Sequence, residues 1–145
     1  MRTLILAGFL AAALLWAPPA SSQVEGSAPF SSAGTSAEAV DRFLADLREA
    51  MAQDDRAGVA AMLQYPLQAW DGERSLKVKS AKQLLRNFDR IFDKGLKSTI
   101  CDATSATAFA NYQGVMFEDG RMWLRPTEGE EVLRIVTLNA PAPGN

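Results

Sequence analysis

The side chains that could do chemistry are few, and their types are informative. The 145 residues contain no histidine and a single cysteine, Cys101. A Ser-His-Asp or Cys-His nucleophile system, an imidazole general base and a His-containing zinc site are therefore excluded. One thiol can form neither an internal disulfide nor a four-thiolate metal centre, and Cys101, with no imidazole to activate it, reads as a small buried hydrophobe. Glycine-rich phosphate loops and carboxylate calcium loops are absent, so neither a cofactor nor a metal is expected. What remains is binding chemistry. Tyr65, Trp70, Tyr112 and Trp123 each pair an aromatic body with a polar handle; they could stack on or hydrogen-bond to a small ligand, or else fill the core. By the period of two, Asn111 and Gln113 share one strand face, opposite Tyr112 and Gly114. On a concave face their amides would orient a ligand, and on a convex face they would be solvated.

Charge offers a second candidate surface. The whole chain balances 15 Lys+Arg against 17 Asp+Glu, yet residues 74–97 carry eight basic side chains against Asp89 and Asp93. Such an asymmetry suits an anionic glycan, a lipid headgroup or an acidic protein. It also fits a solvated helix face in which Arg86–Asp89 and Arg90–Asp93 pair at a spacing of three. Nucleic acid is not expected, because stacking aromatics are not interleaved with these basic residues.

The N-terminus reads as an address. Met1-Arg2-Thr3 is a short positive start, Leu4 to Ala17 is uncharged, Pro18-Pro19 breaks the run, and Ala20-Ser21-Ser22 supplies small residues for cleavage before Gln23. That order is the signature of a secretory signal peptide. The run is shorter than the about 20 apolar residues of a spanning helix, so no membrane span is expected after cleavage. Loss of Arg2 shifts the formal charge from −2 to −3. An exported chain without crosslinks suits the periplasm.

These candidates need elements to position them. Residues 23–34 are aperiodic and rich in Ser, Gly and Ala, a flexible leader, and residues 140–145 form a Pro-rich tail. The capping-box pattern Thr35-Ser36-Ala37-Glu38 starts a helix over about 37–52, with Val40, Phe43, Leu44 and Leu47 on its apolar side. Asp54 or Asp55 caps a short second helix carrying Val59, Met62 and Leu63, which Pro66 forbids from continuing. Strands at Leu67–Trp70 and Leu76–Val78 flank a tight Asp71-Gly72 turn. Ser80 to Gln83 opens a third helix, with Leu84, Leu85, Phe88, Ile91 and Phe92 in register and Gly95 closing it. Three antiparallel strands follow, Ala108–Phe117, Arg121–Arg125 and Glu131–Asn139. Gly114 marks a bulge or bend in the first, Asp119-Gly120 turns into the second, and a longer polar connection over residues 126–130 leads to the third. The order implies a single α+β domain over residues 35–139, with helices laid on a curved antiparallel sheet.

This order, together with Tyr65-Pro66-Leu67, Trp70-Asp71-Gly72, Phe88, Phe92, Asn111-Tyr112-Gln113-Gly114-Val115-Met116, Asp119-Gly120 and Trp123, resembles the nuclear transport factor 2-like superfamily. The likeness is to its small exported bacterial branch and spans about residues 36–139. It implies a cystatin-like roll, in which about three helices and a bent sheet form a cone around a pocket. Tyr65, Trp70, Asn111, Tyr112, Gln113 and Trp123 would be the ligand-binding residues. It admits a homodimer paired through the sheet. Enzymes of this superfamily use an Asp–His pair or an Asp base facing a tyrosine, and this chain has no histidine. Asp102 and Tyr112 are the candidates left for acid–base isomerase or cyclase chemistry. A non-catalytic module that binds a small ligand or an envelope protein is the expectation, with an inhibitor or immunity protein of an envelope hydrolase as a further alternative.

Overall fold

The computed structural model describes residues 27–127 and 132–143. The expected signal peptide, the first four residues of the leader, residues 128–131 of the last connection and the end of the tail lie outside the described residues. The architecture is α+β, with several helices and one six-stranded sheet.

The described residues open with helix α1, Ser27–Ser32, where a flexible leader is expected. The reason lies in one side chain: Phe30 is buried in the core, which fixes a segment that local composition would leave loose. Helix α2, Ala37–Ala52, has the expected span and buries Val40, Phe43, Leu44 and Leu47. Its cap sits one residue later than the capping-box reading, since Ser36 accepts from the backbone N–H of Ala39 at 3.2 Å. Asp54 ends the turn in a left-handed conformation with φ 52°. Asp55 then caps α3, Arg56–Ala61, by accepting from Gly58 N–H at 2.9 Å.

Strand β1, Leu63–Trp70, starts earlier than expected, so Met62 and Leu63 are not helical. Long-range pairing overrides the local pattern here: Leu63 pairs with Ile135, and Ile135 N–H donates to the Met62 carbonyl at 2.9 Å. Pro66, which has no N–H to give, falls in the ladder's interruption between Leu63 and Gln68. The turn into β2, Ser75–Val78, is longer than a two-residue hairpin. Trp70 pairs with Ser75, and Asp71 N–H donates to the Arg74 carbonyl across the loop.

The single helix expected from Ser80 to Gly95 is two short ones, α4 Ala81–Arg86 and α5 Phe88–Ile91, and an unexpected third, α6 Lys94–Asp102, follows. Asn87 interrupts the run, its side-chain amide donating to the Gln83 carbonyl at 2.9 Å in competition with the backbone. Asp93 starts afresh by accepting from Leu96 N–H at 2.8 Å, so Gly95 lies in the first turn of α6 and closes nothing.

The expected strand 108–117 is a hairpin. β3, Phe109–Asn111, and β4, Gly114–Phe117, are joined by Tyr112-Gln113, and Asn111 pairs with Gly114. Gly114, at φ 136°, is therefore the first residue after the turn rather than a bulge inside a strand. A short 3-10 turn, Glu118–Gly120, leads to β5, Met122–Pro126, which pairs with β6, Leu133–Leu138.

The strand order is β2-β1-β6-β5-β4-β3. The sheet is mixed and not antiparallel throughout, because β1 and β6 run parallel. Their connection, through α4 to α6 and four strands, is long enough to bring the chain back in the same direction. Buried positions alternate along the strands: Leu67, Ala69, Val115, Phe117, Met122, Leu124, Ile135 and Leu138 join the buried helix residues in one apolar core. Among the described residues, no helix is long and apolar enough to cross a membrane.

Candidate functional site

The expected ligand-binding residues are spread over β1, the β3–β4 hairpin and β5. Tyr65 is half-buried, and its hydroxyl donates to the Ala60 carbonyl at 2.8 Å, tying β1 to α3. Burial pushes its phenol up to about 12. Tyr112 and Gln113 form the tip of the β3–β4 hairpin, where Tyr112 is 79% exposed. With the chain turning there, the face-sharing of Asn111 and Gln113 does not apply. Instead Asn111 Oδ1 accepts from Gln113 N–H at 2.8 Å and holds the turn. Trp70 and Trp123 are half-buried on β1 and β5.

Asp102 is exposed at the end of α6. It lines a cleft of about 230 Å³ with Thr99, Ala103, Thr107, Phe117 and Glu118. Glu118 is held left-handed at φ 45° with its carboxylate on the Thr99 hydroxyl. Tyr112 does not line this cleft, and it lies beyond the opposite end of β4 from Phe117. The expected acid–base partners are thus not brought together. Among the described residues, no three His, Cys, Asp or Glu side chains gather as metal ligands.

Two further expectations are corrected. Cys101 is exposed, because α6 buries Leu96, Thr99 and Ile100 and position 101 falls off that stripe. The acids of the basic segment pair with distant cations and not with their helix neighbours. Asp89 meets Arg56 at 2.9 Å, and Asp93 meets the buried Arg121 at 3.2 Å. Hydrogen bonding to Arg56 holds the Asp89 carboxyl below the ordinary carboxylate range. Arg90 reaches the buried Asp71 at 3.2 Å. The Asp71 carboxyl is also held low, first by the backbone N–H groups of Arg74 and Glu73 and then by Arg90. These pairs tie elements together, so the segment is not one uniform free basic face.

The register of the sheet reveals a surface instead. Phe109, Met116, Trp123, Thr137, Gln68 and Lys77 are successive cross-strand partners, one on each of the six strands. Alternation points this row away from the core, since the flanking positions Ala110, Val115, Leu124, Leu138 and Ala69 are buried. None of the six is buried, and Phe109 is 56% exposed. Beside the row, Arg125 and Arg134 are direct partners on β5 and β6. The Arg125 stem lies across Gly114: a Cβ on residue 114 would stand 2.8 Å from Arg125 Cγ. An apolar strip flanked by guanidinium groups can hold a partner with apolar contacts and charge-assisted hydrogen bonds.

Of this row, sequence reasoning singled out only Trp123 as a binding residue. The missed signal was large apolar residues, Phe109 and Met116, at alternate positions that the strand pattern assigns to solvent. No protein-family model matches the chain, and neither a curated protein nor a solved structure matches it.

Proposed function

We propose that the chain is an exported, non-catalytic binding or accessory module of the nuclear transport factor 2-like type, working in the periplasm, and that it holds an envelope protein on the outer face of its sheet. The observation that carries this reading is the outward row Phe109–Met116–Trp123, an apolar strip spanning three strands and open to solvent. Apolar side chains in such a strip contribute little to folding and gain most when a partner removes them from water. The order of helices and strands and the mixed sheet are compatible with the superfamily resemblance. Export rests on the order of charge, apolar run and small residues in positions 1–22. An inhibitor of an envelope hydrolase is one form that such a module could take.

Site-specific photocrosslinking in the source cell tests the reading. A photoreactive residue in place of Phe109 or Thr137 is expected to give discrete adducts in the envelope fraction, and one in place of Lys82 on α4 is not. Adducts from position 82 alone, or from no position, would contradict it.

A further inference from the structure

The sign of the charge on the open face narrows what can cover it. The strands contain Lys77, Arg125 and Arg134 and not one Asp or Glu, although acids outnumber bases in the whole chain. The strands are therefore cationic, as is the segment 74–97 to which Lys77 belongs. Arg125 and Arg134 stand directly opposite one another, an arrangement that costs stability in a bare sheet and becomes favourable beside an anion. Among the described residues, no carboxylate pairs with either guanidinium, and Arg134 donates only to the Leu133 carbonyl at 3.2 Å.

We infer that the occupant of this face is an acidic polypeptide surface whose carboxylates meet Arg125 and Arg134 while its apolar side chains cover Phe109, Met116 and Trp123. This rests on the binding function proposed above. Two other occupants fit less well. A second copy docked by the same face would bring no strand carboxylate to these cations, because a two-fold interface uses the same patch on both copies and the strands hold no Asp or Glu. A lipid surface would engage a cluster of lysines, whereas the strands carry one, Lys77. Trp, Phe, Met and Arg are the residue types that protein interfaces favour.

The probe is a fluorescein-labelled random glutamate–tyrosine copolymer, titrated by anisotropy with the full chain as the cell processes it, at about 50 and about 300 mM salt. Saturable binding that weakens with salt is expected. Arg125→Glu combined with Arg134→Glu is expected to lower affinity at least about tenfold, and Lys82→Glu combined with Lys94→Glu to leave it unchanged. No binding, or equal loss in both double variants, would overturn the acidic occupant. Two parallel arms separate this inference from the function it rests on. Dimerisation in sedimentation velocity that Phe109→Glu abolishes, or binding confined to phosphatidylglycerol vesicles and lost in the same arginine variant, would retain the face as a binding surface and overturn its acidic polypeptide partner. Indifference of all three arms to the face variants would overturn both.

Discussion

Tyr65 and Arg121 show how single polar groups brace this small domain. The Tyr65 hydroxyl is satisfied by the Ala60 carbonyl, so Tyr65→Phe should cost about 1 kcal/mol near neutral pH. The sign of its pH dependence follows from the direction of the shift. The unfolded phenol ionises near pH 10, while the folded one holds its proton to about 12. The stabilisation is therefore present in full below about pH 10 and is lost as pH rises through the folded value. Urea midpoints of the parent and Tyr65→Phe should accordingly converge as pH rises from 9 toward about 12; a constant gap would count against this assignment. Asp71 has the opposite sign: its lowered pKa stabilises above the ordinary carboxylate range and is lost as pH falls through the folded value. Asp71→Asn should therefore lower the urea midpoint at pH 7 and make little difference in strong acid. Arg121 is only 3% exposed and joins Asp93 at the start of α6 to the Asn139 carbonyl after β6. Arg121→Met, which leaves the partly solvated Asp93 without its cation, should cost about 1–2 kcal/mol in urea denaturation.

At the scale of elements, the fold was legible wherever local signals decide the outcome. The stripe of Val40, Phe43, Leu44 and Leu47 defines α2 without help from the rest of the chain, and Ser80 does cap α4. It was illegible where a competing contact wins. Asn87 breaks a periodic helix with its own side chain, Leu63 leaves a helical pattern for a strand partner far along the chain, and Phe30 orders α1 by reaching the core. The candidate site was the least legible part, because facing depends on register. Asn111 at the end of β3 and Gln113 in the turn cannot share the alternation expected of one continuous strand. Two pairs of substitutions test these elements. Ser36→Ala should cost about 1 kcal/mol and Thr35→Ala much less, since Ser36 is the cap. Gly114→Ala should destabilise more than Gly72→Ala. Both glycines have positive φ, but a Cβ at position 114 would meet the Leu124 carbonyl at 2.4 Å, while one at position 72 meets nothing within 4 Å. Equal midpoints for the two would contradict this account of the β3–β4 hairpin.

For the molecule as a whole, the sheet has two faces with different tasks. One packs Leu67, Val115, Leu124 and Ile135 into the core and sets stability; the other presents Phe109, Met116 and Trp123 with Arg125 and Arg134 to the surroundings. Substitutions on the two faces should therefore separate folding from binding. Leu124→Ala should cost about 2–5 kcal/mol, whereas Phe109→Glu should leave the unfolding midpoint nearly unchanged. The most direct test is the yield of envelope adducts from a photoreactive residue at position 137 in a chain that also carries Phe109→Glu. With the fold intact by circular dichroism, the adducts should largely disappear; adducts at the yield of the unsubstituted chain would contradict the assignment of the outer sheet face as the binding surface.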